Sequence, residues 1–283
     1  GGWEPLSERE IFDLEYWVLQ QAKLANDEGK DNAHQGKIAI VTGAAGGIGC
    51  ATSKVLAAEG AVVIGLDIDP DVKNILKKVG GTGMICDVTD DNQVHEIIDE
   101  VVAMYGGLDI LVCNAGIFLS GEAIEEITNK TWDNTISINL TATRQIIKNA
   151  IPYLKFGVEA SIIVIGSRNY AAPGAGASAY SVSKAGVTQL ARVAALELAP
   201  DGIRVNVIHP DAVFDTKLWT KKALQNSAKR YNMTVDEYKS KNLLGVEVKS
   251  QKVGEMVSAL ASDLFYATTG AQIPIDGGNE RVI

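Results

Sequence analysis

The feature that most constrains this chain is a switching of hydrophobic period that begins at Gly36. Short β-branched or apolar runs recur at 37–42, 61–66, 82–86, 108–113, 160–166, 203–209 and 271–275. Helix-period segments at 47–59, 92–104, 132–153 and 181–198 separate most of them. Strands that read as nearly continuous apolar runs are buried on both faces, and strand–helix alternation joins them by right-handed crossovers. The expected fold is therefore α/β: a Rossmann-type, doubly wound parallel sheet of about seven strands with helices on both faces.

Two segments depart from the rhythm. Residues 1–35 read as a helical extension and linker. Ser7 and Glu10 have capping-box spacing, Ile11, Leu14, Trp17, Val18 and Ala22 recur at helical intervals, and 26–35 is polar. The main domain is then 36–283. Within it, about 211–248 is a polar, Lys-rich insertion between the sixth and seventh strands, in the place of a substrate loop.

Composition narrows the partners. The formal charge of −9 disfavours nucleic acid, which needs clustered Lys and Arg. No apolar run approaches a membrane span. The start has neither the basic nor the apolar region of a signal peptide. Three dispersed cysteines, Cys50, Cys86 and Cys113, show neither disulfide-framework nor metal-site spacing and read as buried thiols of a reducing cytoplasm. No metal site is expected.

The first strand runs into Thr42-Gly43-Ala44-Ala45-Gly46-Gly47-Ile48-Gly49, which opens a helix. Glycines there allow a tight turn and a close approach of backbone N–H groups to a pyrophosphate, at the positive end of the helix dipole. Asp67 ends the second strand, 18 residues after Gly49, with Ile68 beside it. A carboxylate at that place accepts from ribose hydroxyls and repels a 2′-phosphate, which favours NAD over NADP. Asp87-Val88 and Asn114-Ala115-Gly116 end the third and fourth strands, where open α/β sheets bind ligands, and Asp87 is suited to the adenine amino group.

Tyr180 and Lys184 share a helix face one turn apart, and an ammonium beside a phenol favours the phenolate. Ser167 lies 13 residues before Tyr180, directly after the fifth strand, where its hydroxyl is placed for a substrate oxygen. Asn139 is an unfavourable mid-helix residue, which suggests a water-binding role.

Taken together, these residues resemble the classical short-chain dehydrogenase/reductase family over about 36–280. The resemblance implies NAD or NADP and often a homo-oligomer, a dimer or tetramer. It implies Tyr180 as acid/base, Lys184 on the nicotinamide ribose, Ser167 on the substrate and Asn139 on a proton-relay water. Tyr180 and Lys184, and Pro210, Ala212 and Val213 after the sixth strand, also join the cofactor set. The Tyr–Lys spacing of four argues against the enoyl-reductase branch. One departure is Asp211, where the family usually has Gly after Pro210. Residues 11–17, 210–214, 243–248 and 268–271 resemble the dehydrogenase half of fused rhamnulose-1-phosphate aldolase/short-chain dehydrogenase proteins. That likeness implies an aldolase domain, fused or separate, and lactaldehyde as substrate. Related sequences are also labelled sorbitol-6-phosphate dehydrogenase.

Substrate contacts are expected from Arg168, Asn169, Asp211, Phe214 and Trp219, with His209 nearby and Arg168 the best placed for a charged group. Lys217, Lys221 and Lys222 of the insertion are further candidates, suited to a phosphate or carboxylate, with a solvated helix face the alternative for Lys221 and Lys222. The expected function is NAD-dependent hydride transfer to or from a small hydroxylated alcohol or aldehyde, lactaldehyde-like or sugar-derived, with an aldehyde reacting as its hydrate. A non-catalytic NAD-binding redox sensor is the reading from another class, and the presence of both Tyr180 and Lys184 weighs against it.

Overall fold

The computed structural model describes residues 32–119 and 122–279; the N-terminal helical pattern at 7–22 lies outside the described residues. Seven parallel strands form one sheet in the order β3-β2-β1-β4-β5-β6-β7. They are β1 (Ile38–Thr42), β2 (Val62–Asp67), β3 (Thr82–Ile85), β4 (Ile110–Cys113), β5 (Ser161–Ile165), β6 (Arg204–Pro210) and β7 (Gln272–Ile275). The expected sheet is borne out: five runs are trimmed by one or two residues, and those at 61–66 and 203–209 are shifted by one.

Period-two alternation explains why the sheet must be covered twice. In β1, Ile38 and Ile40 enter one core and Ala39 and Val41 the other. The first core packs Ile64, Leu111 and Val164 against α3 (Asp91–Tyr105), α5 (Ala142–Leu154) and α6 (Ser178–Leu198). The second packs Val63, Val112, Ile163 and Ile208 against α1 (Gly47–Ala58), α2 (Val72–Lys78) and α9 (Ser250–Ala261). Helices α2 and α9 were not expected from the sequence, although Val253, Val257 and Leu260 of α9 are fully buried.

The helix expected over 132–153 is three pieces. It comprises α4 (Asn129–Ile136), a π-helical turn at Ser137–Thr141, and α5. The wide turn carries Asn139 into the interior, which accounts for an Asn in an unfavourable place. The 211–248 insertion holds two short helices, α7 (Lys221–Arg230) and α8 (Val235–Lys239), the latter opened by a Thr234–Glu237 capping box.

Order reverses between β1 and β4, so a crevice opens beyond their carboxyl ends, the ligand place of such sheets. Far from it, the buried Arg204 guanidinium closes the C-terminus of α9. It donates from Nη1 to the Leu260 and Phe265 carbonyls and from Nη2 to those of Ala261 and Ser262. Arg204→Met leaves those carbonyls unpaired, and urea unfolding should show a loss of about 2–3 kcal/mol.

Candidate active site

The crevice is a cleft of about 1000 Å³. Its floor is knotted by two side chains. The Thr42 hydroxyl accepts from the backbone N–H of Asn114 (2.9 Å) and Ala115 (3.0 Å) and donates to the Val112 carbonyl (3.3 Å). Asn114 Nδ2 donates back to the Thr42 and Gly43 carbonyls. The ends of β1 and β4 are thereby held open rather than zipped together. Gly43 has φ +67°, and a side chain on Gly49 would lie 2.1 Å from the Gly43 oxygen. Gly49 therefore sits behind the turn and admits the close helix–strand approach, whereas Gly43, Gly46, Gly47 and Ile48 line the cleft.

This turn fits an anionic dinucleotide. The α1 N-terminus has no side-chain cap and no acidic residue in its first turn, so its N–H groups face the cleft without a carboxylate competitor. Asp67 Oδ2 accepts from Ala45 N (2.8 Å) and Oδ1 from Asp69 N (3.0 Å), which fixes the carboxylate at the cleft edge with lone pairs to spare. Asp87 is oriented likewise by Thr89. Ile68, Val88, Ala115, Gly116, Pro210, Ala212 and Val213 also line the cleft. Thr216, which the sequence did not single out, lies over Gly47, and Lys217, a candidate pocket residue of the insertion, lies over Gly46.

At the other end Ser167, Tyr180 and Lys184 meet. Lys184 Nζ donates to the Ile165 carbonyl (2.8 Å) at the end of β5 and lies 5.8 Å from the Tyr180 ring centre. Burial pushes its ammonium down from 10.5 to about 8. Burial also pushes the Tyr180 phenol up, and a hydrogen bond with Ser167 opposes that. Phe118, another residue the sequence did not flag, packs edge-on against Tyr180 at 4.7 Å. Ser167 is itself positioned by its backbone: its N–H approaches His209 Nδ1 (3.2 Å), while His209 Nε2 meets Gln272 Oε1 (2.7 Å). His209 is fully buried beneath the cleft, and burial lowers its pKa, so it braces the wall rather than facing substrate.

Three expected roles change in detail. The Asn139 side chain is engaged by protein: Oδ1 accepts from Ile117 N (2.8 Å), and Nδ2 donates to the Ile117 carbonyl and to Ser183 Oγ. It clamps the loop after β4 to the helix that carries Ser183. Phe214 is off the cleft wall, packed behind Trp219 at 4.9 Å and Tyr238 at 5.7 Å. Arg168, the expected contact for a charged substrate group, lines the cleft and pairs through Nε with Asp211 (2.9 Å). Asn169 and Trp219 do line the cleft, and Tyr231, Tyr238 and Lys241 from the insertion join them. The aromatics of that insertion were the available signal for Tyr231 and Tyr238, and its richness in Lys was the signal for Lys241. Lys221 and Lys222 are exposed, and Cys86 and Cys113 are buried thiols pushed up to about 12.

The Enoyl-(Acyl carrier protein) reductase family model matches residues 43–280. The chain belongs to the classical short-chain dehydrogenase/reductase family. Curated relatives include the "Cis-4-hydroxycyclohexanecarboxylate dehydrogenase" of Sinomonas cyclohexanicum, 34% identical over 87% of this chain and 97% of that one. The "Uncharacterized oxidoreductase YuxG" of Bacillus subtilis is 32% identical over 98% of this chain, which spans only 42% of YuxG. Among solved structures, the ligand-free aldohexose dehydrogenase of Thermoplasma acidophilum superposes with TM-score 0.80 at 32% identity, covering 90% of this chain and 98% of that one. A 3-ketoacyl-(acyl-carrier-protein) reductase of Brucella melitensis complexed with NADH gives 0.79 at 25% identity, covering 87% and 99%.

The buried ammonium makes a stability prediction. Folded Lys184 titrates near 8, below its ordinary 10.5, so its desolvation cost is fully present below pH 8 and fades between pH 8 and 10.5. Lys184→Met should therefore unfold about 1–2 kcal/mol later than the parent at pH 7. That advantage should shrink as denaturation is repeated at rising pH.

Proposed function

We propose that this oxidoreductase is NAD-dependent and moves a hydride between the cofactor and a small hydroxylated alcohol or aldehyde. The observation that carries the reading is the convergence of Ser167, Tyr180 and Lys184 in the same cleft as the uncapped glycine turn and Asp67. In the oxidative direction an alcohol and NAD⁺ give the carbonyl compound, NADH and a proton. The nicotinamide, when bound, supplies the hydride acceptor.

The chain's own residues handle the oxygen and its proton. Ser167 holds the substrate hydroxyl beside the Tyr180 phenol. Tyr180 takes the hydroxyl proton as general base. Burial opposes the phenolate, and the Lys184 ammonium one turn along the helix offsets that cost. Asn139 holds the loop after β4 against this helix through Ser183. Asp67 accepts from the adenosine ribose and disfavours a 2′-phosphate.

The substrate is lactaldehyde-like or sugar-derived in this reading. What supports it is the polar wall of Arg168, Asn169 and Asp211, and relatives named for secondary-alcohol and aldohexose substrates. The kinship to fused aldolase/dehydrogenase proteins, with the chain as one portion of a longer cytoplasmic polypeptide, is likewise proposed. The observation bearing on it is that this chain spans 42% of YuxG while nearly all of it aligns. Among the described residues no helix is long and apolar enough to cross a membrane.

The test is NADH absorbance with a panel of small polyols and aldehydes. Tyr180→Phe should lower turnover at least about a thousandfold, with NAD affinity measured by calorimetry little changed. Retained turnover in that variant would sink the mechanism. Because the base is a phenolate, kcat/KM for oxidation should rise with pH. Loss of the Lys184 cation in Lys184→Met should move that rise to higher pH. Asp67→Ala should narrow the preference for NAD over NADP by roughly tenfold or more, read as a ratio of kcat/KM values.

A further inference from the structure

Charge of both signs lines the cleft. Asp67, Asp69 and Asp87 line the adenosine end, where Lys217 meets Asp69 at 3.7 Å, whereas Arg168, Arg230 and Lys241 line the cleft with Asp211 and Glu122. Arg168 and Lys241 come from different elements, one following β5 and the other following α8.

Their partners leave that charge incompletely matched. Arg168 meets Asp211 through Nε alone, and its terminal nitrogens have no protein partner among the described residues. Asp211 is held from its other side, since Oδ2 accepts from Asn279 Nδ2 (2.5 Å). Lys241 forms no ion pair among the described residues, although Lys239 two positions earlier pairs with Glu247. Its Nζ instead lies 4.4 Å from the ring centre of Tyr231 and 4.8 Å from that of Tyr238. Those two rings stack at 5.6 Å, and Trp219 lies 6.2 Å from Tyr238. Rings of this kind stabilise a partly desolvated ammonium without neutralising it.

The charged groups acting on Lys241 are Arg168, which pushes its pKa down, and Asp211, which pushes it up; burial is the larger cause and lowers it. Among these three groups, two cations and one carboxylate leave a net positive charge that is partly withdrawn from water. A bound anion relieves both the repulsion and the desolvation, and a planar guanidinium with free terminal nitrogens suits carboxylate or phosphate oxygens.

We infer that Arg168 and Lys241 form an anion subsite, so that the substrate is a small hydroxylated compound bearing a carboxylate or phosphate terminus. The inference rests on the dehydrogenase reading of the same cleft. Asp211 acts as a positioning residue: it anchors Arg168 at Nε and leaves the terminal nitrogens turned to other partners. The Gly usual at this place in the family has no side chain to do so.

The experiment uses matched sets sharing one carbinol: glycerol, glycerate and glycerol 3-phosphate, and sorbitol, gluconate and sorbitol 6-phosphate. NADH formation is measured for each, beside calorimetric titration of each into the NADH-bound enzyme. An anionic member should exceed its neutral counterpart by roughly tenfold or more in kcat/KM, through KM, and whether carboxylate or phosphate leads identifies the terminus. Lys241→Gln should reduce that anionic-to-neutral ratio severalfold, and Lys241→Arg should largely restore it. Asp211→Asn should reduce it as well.

Turnover of neutral and anionic members alike, or a ratio unmoved in Lys241→Gln, overturns the subsite and leaves the dehydrogenase reading standing. Absence of turnover with the broader polyol and aldehyde panel overturns the dehydrogenase reading. The calorimetric arm then decides the subsite separately: tighter binding of anionic members that Lys241→Gln weakens upholds it, and equal or absent binding overturns it.

Discussion

Everything at the cleft depends on the knot between Thr42 and Asn114. Parallel strands pair as long as their backbone groups find one another, and β1 and β4 would continue to do so past Val112. The Thr42 hydroxyl instead takes the N–H groups of Asn114 and Ala115, and the Asn114 amide takes the Thr42 and Gly43 carbonyls. Every one of these groups would carry a desolvation penalty if left unpaired. The two chains can therefore diverge at the reversal of strand order, and the glycine turn can lie in the gap. Gly49 is the second condition, because no side chain fits between α1 and the Gly43 carbonyl.

The chemical end of the cleft works against its own stability. Lys184 is nearly fully buried with a single backbone carbonyl as its hydrogen-bond acceptor, and Tyr180 is held where burial disfavours its phenolate. A packed apolar pair there would be cheaper. The two unfavourable burials nonetheless complement each other, since the buried cation favours the buried anion more strongly than it could in water. Ser167 and the braced His209 beneath it extend the same pattern of polar groups held by a rigid strand end.

Much of this was legible in the sequence because it lies in local periodicity and spacing. Alternating apolar runs revealed the strands, and four-residue spacing on one helix placed Lys184 beside Tyr180. Less legible was whatever depends on a partner distant along the chain. The π-helical turn around Asn139 looks like ordinary helix, since the two differ in which carbonyl each N–H meets rather than in residue type. Phe214 sits three residues after Asp211 in a region of cleft-facing residues, yet aromatic packing turns it behind Trp219. The Arg168–Asp211 pair joins residues 43 apart in sequence, and neither alone announces the other.

The sequence by itself determined the α/β architecture, the glycine turn with Asp67 behind it, and the membership of Ser167, Tyr180 and Lys184 in one motif. Those follow from backbone sterics, hydrophobic period and short spacings, which act within a few residues. Only the tertiary structure decided that the insertion brings Tyr231, Tyr238 and Lys241 to the cleft, that Arg168 is partly neutralised by Asp211, and that Asn139 clamps a loop. These are contacts between distant segments, set by how the sheet and its helices pack, and electrostatics in a partly dry cleft depends on which charges that packing brings within a few ångströms.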